Sequence, residues 1–213
     1  VMPAGSGFVP TIDDGPLRMR SVHTRDSREL ERVLLDNRPW LQPWEATLPG
    51  NEGRWNVRGA IRSLLDQAAS RSTLPFVLEW DGAIVGQLTV SNMLYGAVSS
   101  ASLGYWVAES AAGRGITPTA VAHATDYCFA QLGLHRMEIC IRPENAPSLR
   151  VVEKLGFRYE GRRRRYIHID GDWRDHYCFA LVSEEVPRGV HARWRSGEVD
   201  ESVAARPASG PFA

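Results

Sequence analysis

Two glycines flank a single arginine in "ESAAGRGITPTAV", residues 109–121, directly ahead of a segment with helical spacing. Removing side chains at a helix start admits a group that must approach the backbone closely. The first turn of a helix offers unpaired N–H groups and the positive end of the dipole, so that group is a phosphate. Carboxylates, hydroxyls and aromatics that could act beside it are Glu45, Glu109, Ser148 and Tyr105, with Trp40, Trp44, Tyr166 and Trp173 as possible walls of a groove.

The type of phosphate site is narrowed by what the loop lacks. A dinucleotide fingerprint would carry a third glycine in a βαβ unit and an acidic residue about 20 positions on. A nucleoside-triphosphate loop would carry Lys and Ser or Thr after its last glycine, where this chain has Ile116 and Thr117. A pyrophosphate held by successive N–H groups of Gly113, Arg114, Gly115, Ile116 and Thr117 survives both exclusions.

The elements that must position these residues follow from periodicity. "PLRMRSVH" alternates as a strand, "TRDSRELERVLLDN" reads as a capped helix, and a second helix covers about 54–69. "TLPFVLEWDGAIVGQLTVSNM" is a hairpin turned at Asp81-Gly82, and "ASLGYWV" is the next antiparallel strand. A long helix runs from Arg114 to about Leu132, with Pro118 tolerated in its first turn. "HRMEICIR" is a strand, "APSLRVVEKLG" a short helix ended by Gly156, and "FRYEGRRRRYIHIDGDWRDHYCFALV" a closing hairpin turned at Asp170-Gly171. The order βααβββαβαββ describes an α+β layer on a mixed, mainly antiparallel sheet. Residues 1–14 read as a mobile arm, 15–183 as the folded domain, and the polar 184–213 as a flexible tail.

With 213 residues, 43% of them hydrophobic, one substantial core is expected. Basic and acidic residues number 25 each, so no overall field draws the chain to nucleic acid or an anionic membrane. The run Arg162 to Arg165 offers only a local basic patch, because alternate strand residues face opposite sides. Cys128, Cys140 and Cys178 suggest neither a disulfide framework nor a zinc knuckle, and no apolar run spans a membrane, so a cytoplasmic protein without a metal is expected.

The order of elements, "GYWV" before "AAGRGI", and "PENAPSLRVVEKLGFRYEG" resemble the GNAT superfamily of acetyl-CoA-dependent N-acetyltransferases. "LQPWE", "LGYWV", "NAPSLRVVEKLGF" and "IDGDWRDHY" resemble, more narrowly, its RimJ-type group of ribosomal-protein alanine N-acetyltransferases, over about residues 17–181. One departure is Ser110, which stands where the family loop usually has Gln or Arg. Because the loop acts through main-chain N–H groups, cofactor binding is expected to survive it.

The resemblance implies a GNAT fold with helices on both faces and a central pair of strands, 103–107 and 137–141, that splay apart. It implies acetyl-CoA as cosubstrate, with Trp106, Val107 and Ala108 along the pantetheine arm, the glycine loop on the pyrophosphate, and Asn145 and Ser148 near the thioester. The implied reaction is direct attack of a protein N-terminal amine, from an alanine-starting ribosomal protein, on the thioester. An α-amine titrates near ~8 and a lysine near ~10.4, so the terminal amine needs less help to lose its proton.

Glu45 and then Glu109 are the candidate bases, a backbone N–H at Val107 or Ala108 the candidate oxyanion donor, and Ser148 or Tyr105 the candidate proton donor to the thiolate. Trp40, Trp44, Glu45, Tyr166 and Asp175 are the candidate acceptor contacts, Asp175 having a turn-stabilising role as its rival. The partner is then a protein N-terminus, the protomer acting as monomer or homodimer. Two alternatives stay open: a small-amine acetyltransferase, for which the aromatic loop "LQPWEATLPGNEG", residues 41–53, offers only Glu45 and Glu52, and an acetyl-CoA-binding sensor or assembly factor without turnover.

Overall fold

The computed structural model of the protein describes residues 8–50 and 56–206. Eight strands form one sheet in the order β1-β2-β3-β4-β5-β6-β8-β7. They are β1 (Ile12–Asp14), β2 (Leu17–Ser21), β3 (Leu74–Trp80), β4 (Ala83–Leu94), β5 (Ser100–Val107), β6 (Arg136–Ile141), β7 (Arg158–Ile169) and β8 (Asp172–Val182). The helices are α1 (Ser27–Asp36), α2 (Arg38–Leu41), α3 (Val57–Ala69), α4 (Ile116–Ala130), α5 (Ala146–Leu155) and α6 (Val190–Arg195). Neighbouring strands are antiparallel except β5 and β6.

Both sequence-predicted hairpin turns form, for the same reason. Asp81 and Gly82 have φ of 50° and 82°, and Asp170 and Gly171 have 49° and 79°, the paired positive values of a two-residue turn that follows the strand twist. Strand alternation, switched once on β4 by the register shift between Gly86 and Ile84, then sorts the core. Phe76, Leu78, Leu88 and Val90 face the larger apolar cluster beneath α4 and α5, while Val77 and Ile84 face a smaller one with Leu30 of α1 and Ile61 of α3.

One polar group is sealed beside that smaller cluster. Asp26 is 6% exposed and accepts two bonds from the Arg20 guanidinium, at 2.8 and 3.1 Å, and one from the His23 N–H at 2.8 Å. Burial pushes the carboxyl up, but the Arg20 and His23 bonds outweigh it and hold it below its usual 3.8. Its contribution to stability is therefore complete above that ordinary value and lost as pH falls through the lower folded value. Asp26→Asn is expected to cost about 2–3 kcal/mol at pH 7 in denaturant unfolding, with the difference from wild type shrinking on acidification.

The ends of the chain depart from expectation. Residues 12–14, read as part of a mobile arm, form β1 against β2, and Phe8 and Val9 pack on the core. In the region read as a tail, Val186, Val190 and Ala204 are buried in the main cluster. The Asp126 carboxylate on α4 accepts the N–H groups of Val190 and His191 at 2.6 and 3.1 Å, capping α6, and Arg193 donates to the Leu155 carbonyl at 2.6 Å. A few apolar residues at positions 186, 190 and 194 suffice to dock a segment whose average composition is polar. The remaining parts of both expectations, residues 1–7 and 207–213, lie outside the described residues.

Candidate active site

β5 and β6 pair only through Ser100↔Arg136, Ala101↔Met137 and Ser102↔Glu138. Beyond Ser102, β5 continues to Val107 paired with β4 alone, so its other edge opens into a cleft. This is the splay that the sequence implied between 103–107 and 137–141. Gly104 lies on the open stretch, and a Cβ built there would meet nothing within 4 Å.

The ladder fixes which backbone groups face the cleft. Ala108 donates its N–H to the Val85 carbonyl at 2.7 Å, and antiparallel pairs alternate, so the N–H groups of Tyr105 and Val107 turn away from β4 towards the open side. Of the two expected oxyanion donors, Ala108 is thus already engaged with β4 and buried, and Val107 is the one whose N–H is directed to the cleft. The Val107 carbonyl accepts the Trp40 indole N–H at 3.1 Å, which brings α2 over the end of β5. Trp106 instead donates its indole N–H to Gln87 at 3.2 Å.

Beyond β5, a tight turn at Glu109–Ala111 leads into the glycine loop. Gly113 and Gly115 have φ of 76° and 80°, and Gly115 is the N-cap of α4. The helix begins at Ile116 rather than at Arg114, because left-handed Gly115 breaks the right-handed run. Arg114 is exposed, whereas Ile116 and Thr117 are buried. Neither glycine has an atom within 4 Å of a built Cβ, so the loop is open on the side where an anion would sit.

Across the cleft, Asn145 is the N-cap of α5 and accepts the Ser148 N–H at 3.1 Å. The Ser148 hydroxyl lies 2.9 Å from the Tyr105 hydroxyl, joining two residues that sequence had offered only as alternatives. Burial pushes the Tyr105 phenol well above its ordinary value, opposed only in part by the Ser148 contact, so it keeps its proton at neutral pH.

The aromatic loop is clamped to the β7–β8 hairpin. Thr47 bonds His168 through both backbone and hydroxyl, Gln42 bonds Asp170 at 2.9 Å, and Arg142 donates to the Pro43 carbonyl at 2.6 Å while lying over the Trp44 ring. Trp173 and Tyr166 are 45% and 40% exposed, edge-on to His168 and His176, so these two aromatics are surface and not core. Glu45 is half-buried and paired with Arg38. The Glu109 side chain is exposed, and its backbone N–H donates to Asn37 at 2.8 Å.

Asp175 is drawn instead into the hairpin. It accepts the Arg165 N–H at 2.6 Å and an Arg162 guanidinium N–H at 2.9 Å, bonds that hold its carboxyl below the usual range. The cause is a bulge at Arg163–Ile167, where Arg165 has φ of 47° and needs a partner for its displaced N–H. Arg163 pairs with Glu138 and Arg165 with Asp172, so the four arginines form no continuous stripe.

Two positioning residues escaped the sequence reading. Asn37 ties the end of α1 to Glu109, and Arg142 ties the end of β6 to the aromatic loop; neither sits in a motif that marks it.

Residues 17–158, which hold the splayed junction and the glycine loop, match the family described as Acetyltransferase (GNAT) domain. The chain belongs to the GNAT family. The structure of Mycobacterium smegmatis RimJ in complex with CoA-disulfide is 38% identical, covers 85% of this chain and 89% of that one, and superposes with a TM-score of 0.79. The Escherichia coli [ribosomal protein uS5]-alanine N-acetyltransferase is 28% identical over 79% of this chain and 89% of its own length. Bacillus subtilis YjcK, described as a probable N-acetyltransferase, is 36% identical over 49% of this chain, a match that spans 58% of that relative. As a GNAT enzyme the chain is an acyltransferase that draws its acetyl group from acetyl-CoA. Among the described residues, no helix is long and apolar enough to cross a membrane.

Proposed function

We propose that this GNAT enzyme acetylates the N-terminal α-amine of a protein, an alanine-starting ribosomal protein, by direct attack in a ternary complex. The observation that carries the reading is the open edge of β5 beyond Ser102, which leads straight into the left-handed glycine loop. The N–H of Tyr105 on the open edge suits an amide of the pantetheine arm as a neighbouring strand would, and the N–H groups from Gly113 to Thr117, with Arg114 beside them, suit the pyrophosphate. Asn145 orients the first turn of α5, and through it Ser148, towards the thioester end.

In this reading the Val107 N–H stabilises charge on the thioester oxygen, and the Ser148–Tyr105 pair delivers a proton to the departing thiolate. Glu45 holds the incoming ammonium and accepts its proton through water, with Arg38 fixing the carboxylate in place; Glu109 is the second candidate. Trp40, Trp44, Tyr166 and Trp173 form the walls that a peptide would cross. The ribosomal acceptor is favoured by the relative named for uS5 alanine, which matches over most of both chains.

The small-amine alternative is disfavoured by the state of the carboxylates. An open pocket of about 310 Å³ beside Trp173 carries Glu144 and Asp175, but Arg142 pairs with the first and Arg162 with the second. A polycation would have to displace both arginines. Glu52, the other acid weighed for that role, lies outside the described residues.

The test is thiol release from acetyl-CoA with an alanine-starting peptide, its N-terminally blocked twin and a polyamine. Turnover is expected with the free peptide alone. Turnover with the polyamine and none with either peptide would move the acceptor to small amines.

A further inference from the structure

Away from the cleft, three chain segments bring metal-ligating side chains together. Asp14 ends β1, His123 lies in α4, and His191 lies in the first turn of α6. Nε2 of His123 is 2.9 Å, and Nε2 of His191 3.1 Å, from the same oxygen of Asp14. All three donor atoms lie within 4.8 Å of one another. Donors around a four-coordinate zinc ion at ~2.0–2.1 Å stand roughly 3.3 Å apart, so two edges of such a triangle are nearly formed.

A second observation comes from the imidazoles. Nε2 of His191 is buried and makes no hydrogen bond of acceptable geometry, although a carboxylate oxygen faces it. The His191 ring stacks on that of His123 with centroids 4.1 Å apart. An imidazole nitrogen that faces a carboxylate oxygen without bonding it leaves a gap suited to a cation.

We propose that Asp14, His123 and His191 form a binding site for a divalent transition-metal ion of the zinc type, with water completing its coordination. Two imidazoles and a carboxylate are the donor set that such ions prefer over calcium or magnesium. Both lone pairs reach one ion once the stacked rings fan apart, a side-chain rotation open to partly exposed residues. The acetyl transfer itself needs no metal. The ion would strap both ends of the folded region to α4, the helix whose N-terminus carries the glycine loop, and so serve stability rather than chemistry.

The test is titration of chelator-treated protein with Co²⁺ and Zn²⁺. One equivalent of Co²⁺ is expected to give the visible absorption of a tetrahedral site, and excess Zn²⁺ to raise Tm by several degrees. His123→Asn, His191→Asn and Asp14→Asn should each abolish both signals, while the double variant Cys140→Ser, Cys178→Ser keeps them. Melting each variant in chelator first separates lost binding from lost folding, and Asp14→Asn, at a strand end, is the variant least exposed to that problem. Absence of both signals in the wild type, or their survival in all three ligand variants, would overturn the site and leave a proton-sharing cluster only.

Discussion

The double variant Ser148→Ala, Tyr105→Phe is expected to lower kcat by roughly 10²-fold at saturating acetyl-CoA and peptide, the lower end of what a positioned proton donor contributes. The 2.9 Å contact between the two hydroxyls makes them one unit, so each single variant should lose most of what the double variant loses. Because burial holds the Tyr105 phenol well above its ordinary value, no alkaline fall in rate from its ionisation should intervene up to pH 9. The KM for acetyl-CoA should change little, since neither hydroxyl is assigned to the pyrophosphate or the pantetheine amides. An unchanged kcat would mean that the thiolate leaves without help from this pair.

Gly115→Val should act on the other term. Its φ of 80° at the N-cap of α4 lies where a β-branched residue is strained by at least ~1–2 kcal/mol, and relaxing that strain withdraws the N–H groups aimed at the anion. Each 1.4 kcal/mol of lost binding is about tenfold in affinity, so acetyl-CoA should bind roughly 5- to 30-fold more weakly by calorimetry. The acceptor KM at saturating acetyl-CoA should move less, which separates loop damage from general loss of structure. Equal weakening of both substrates would point to the latter.

These two sites differ in how legible they were in the sequence. The glycine loop could be read because its chemistry is local: positive φ and a helix start lie within five residues of one another. The paired turns at Asp81-Gly82 and Asp170-Gly171 were legible on the same ground. The contact between Tyr105 and Ser148 spans 43 residues and depends on how α5 docks over the splayed end of β5, which no local pattern encodes.

The same limit explains the corrections. Ala108 could be separated from Val107 only once its bond to Val85 fixed the alternation of the ladder. Asp175 was weighed as an acceptor contact against a turn-stabilising role, and the bulge at Arg163–Ile167, invisible in a run of four arginines, bonds its carboxylate within the hairpin. The C-terminal segment was judged by average polarity, whereas its docking rests on Val186 and Val190 and on a cap supplied by Asp126, 64 residues before Val190.

Intact-protein mass spectrometry on a mixture of unacetylated ribosomal proteins, incubated with enzyme and acetyl-CoA, decides whether the acceptor is a protein α-amine. One acetyl group is expected on an alanine-starting protein, mapped by fragmentation to its terminal nitrogen, and none on a variant of that protein with a blocked terminus. Acetyl groups spread over lysine side chains, or ribosomal proteins left unmodified while an added polyamine is consumed, would contradict an α-amine acceptor.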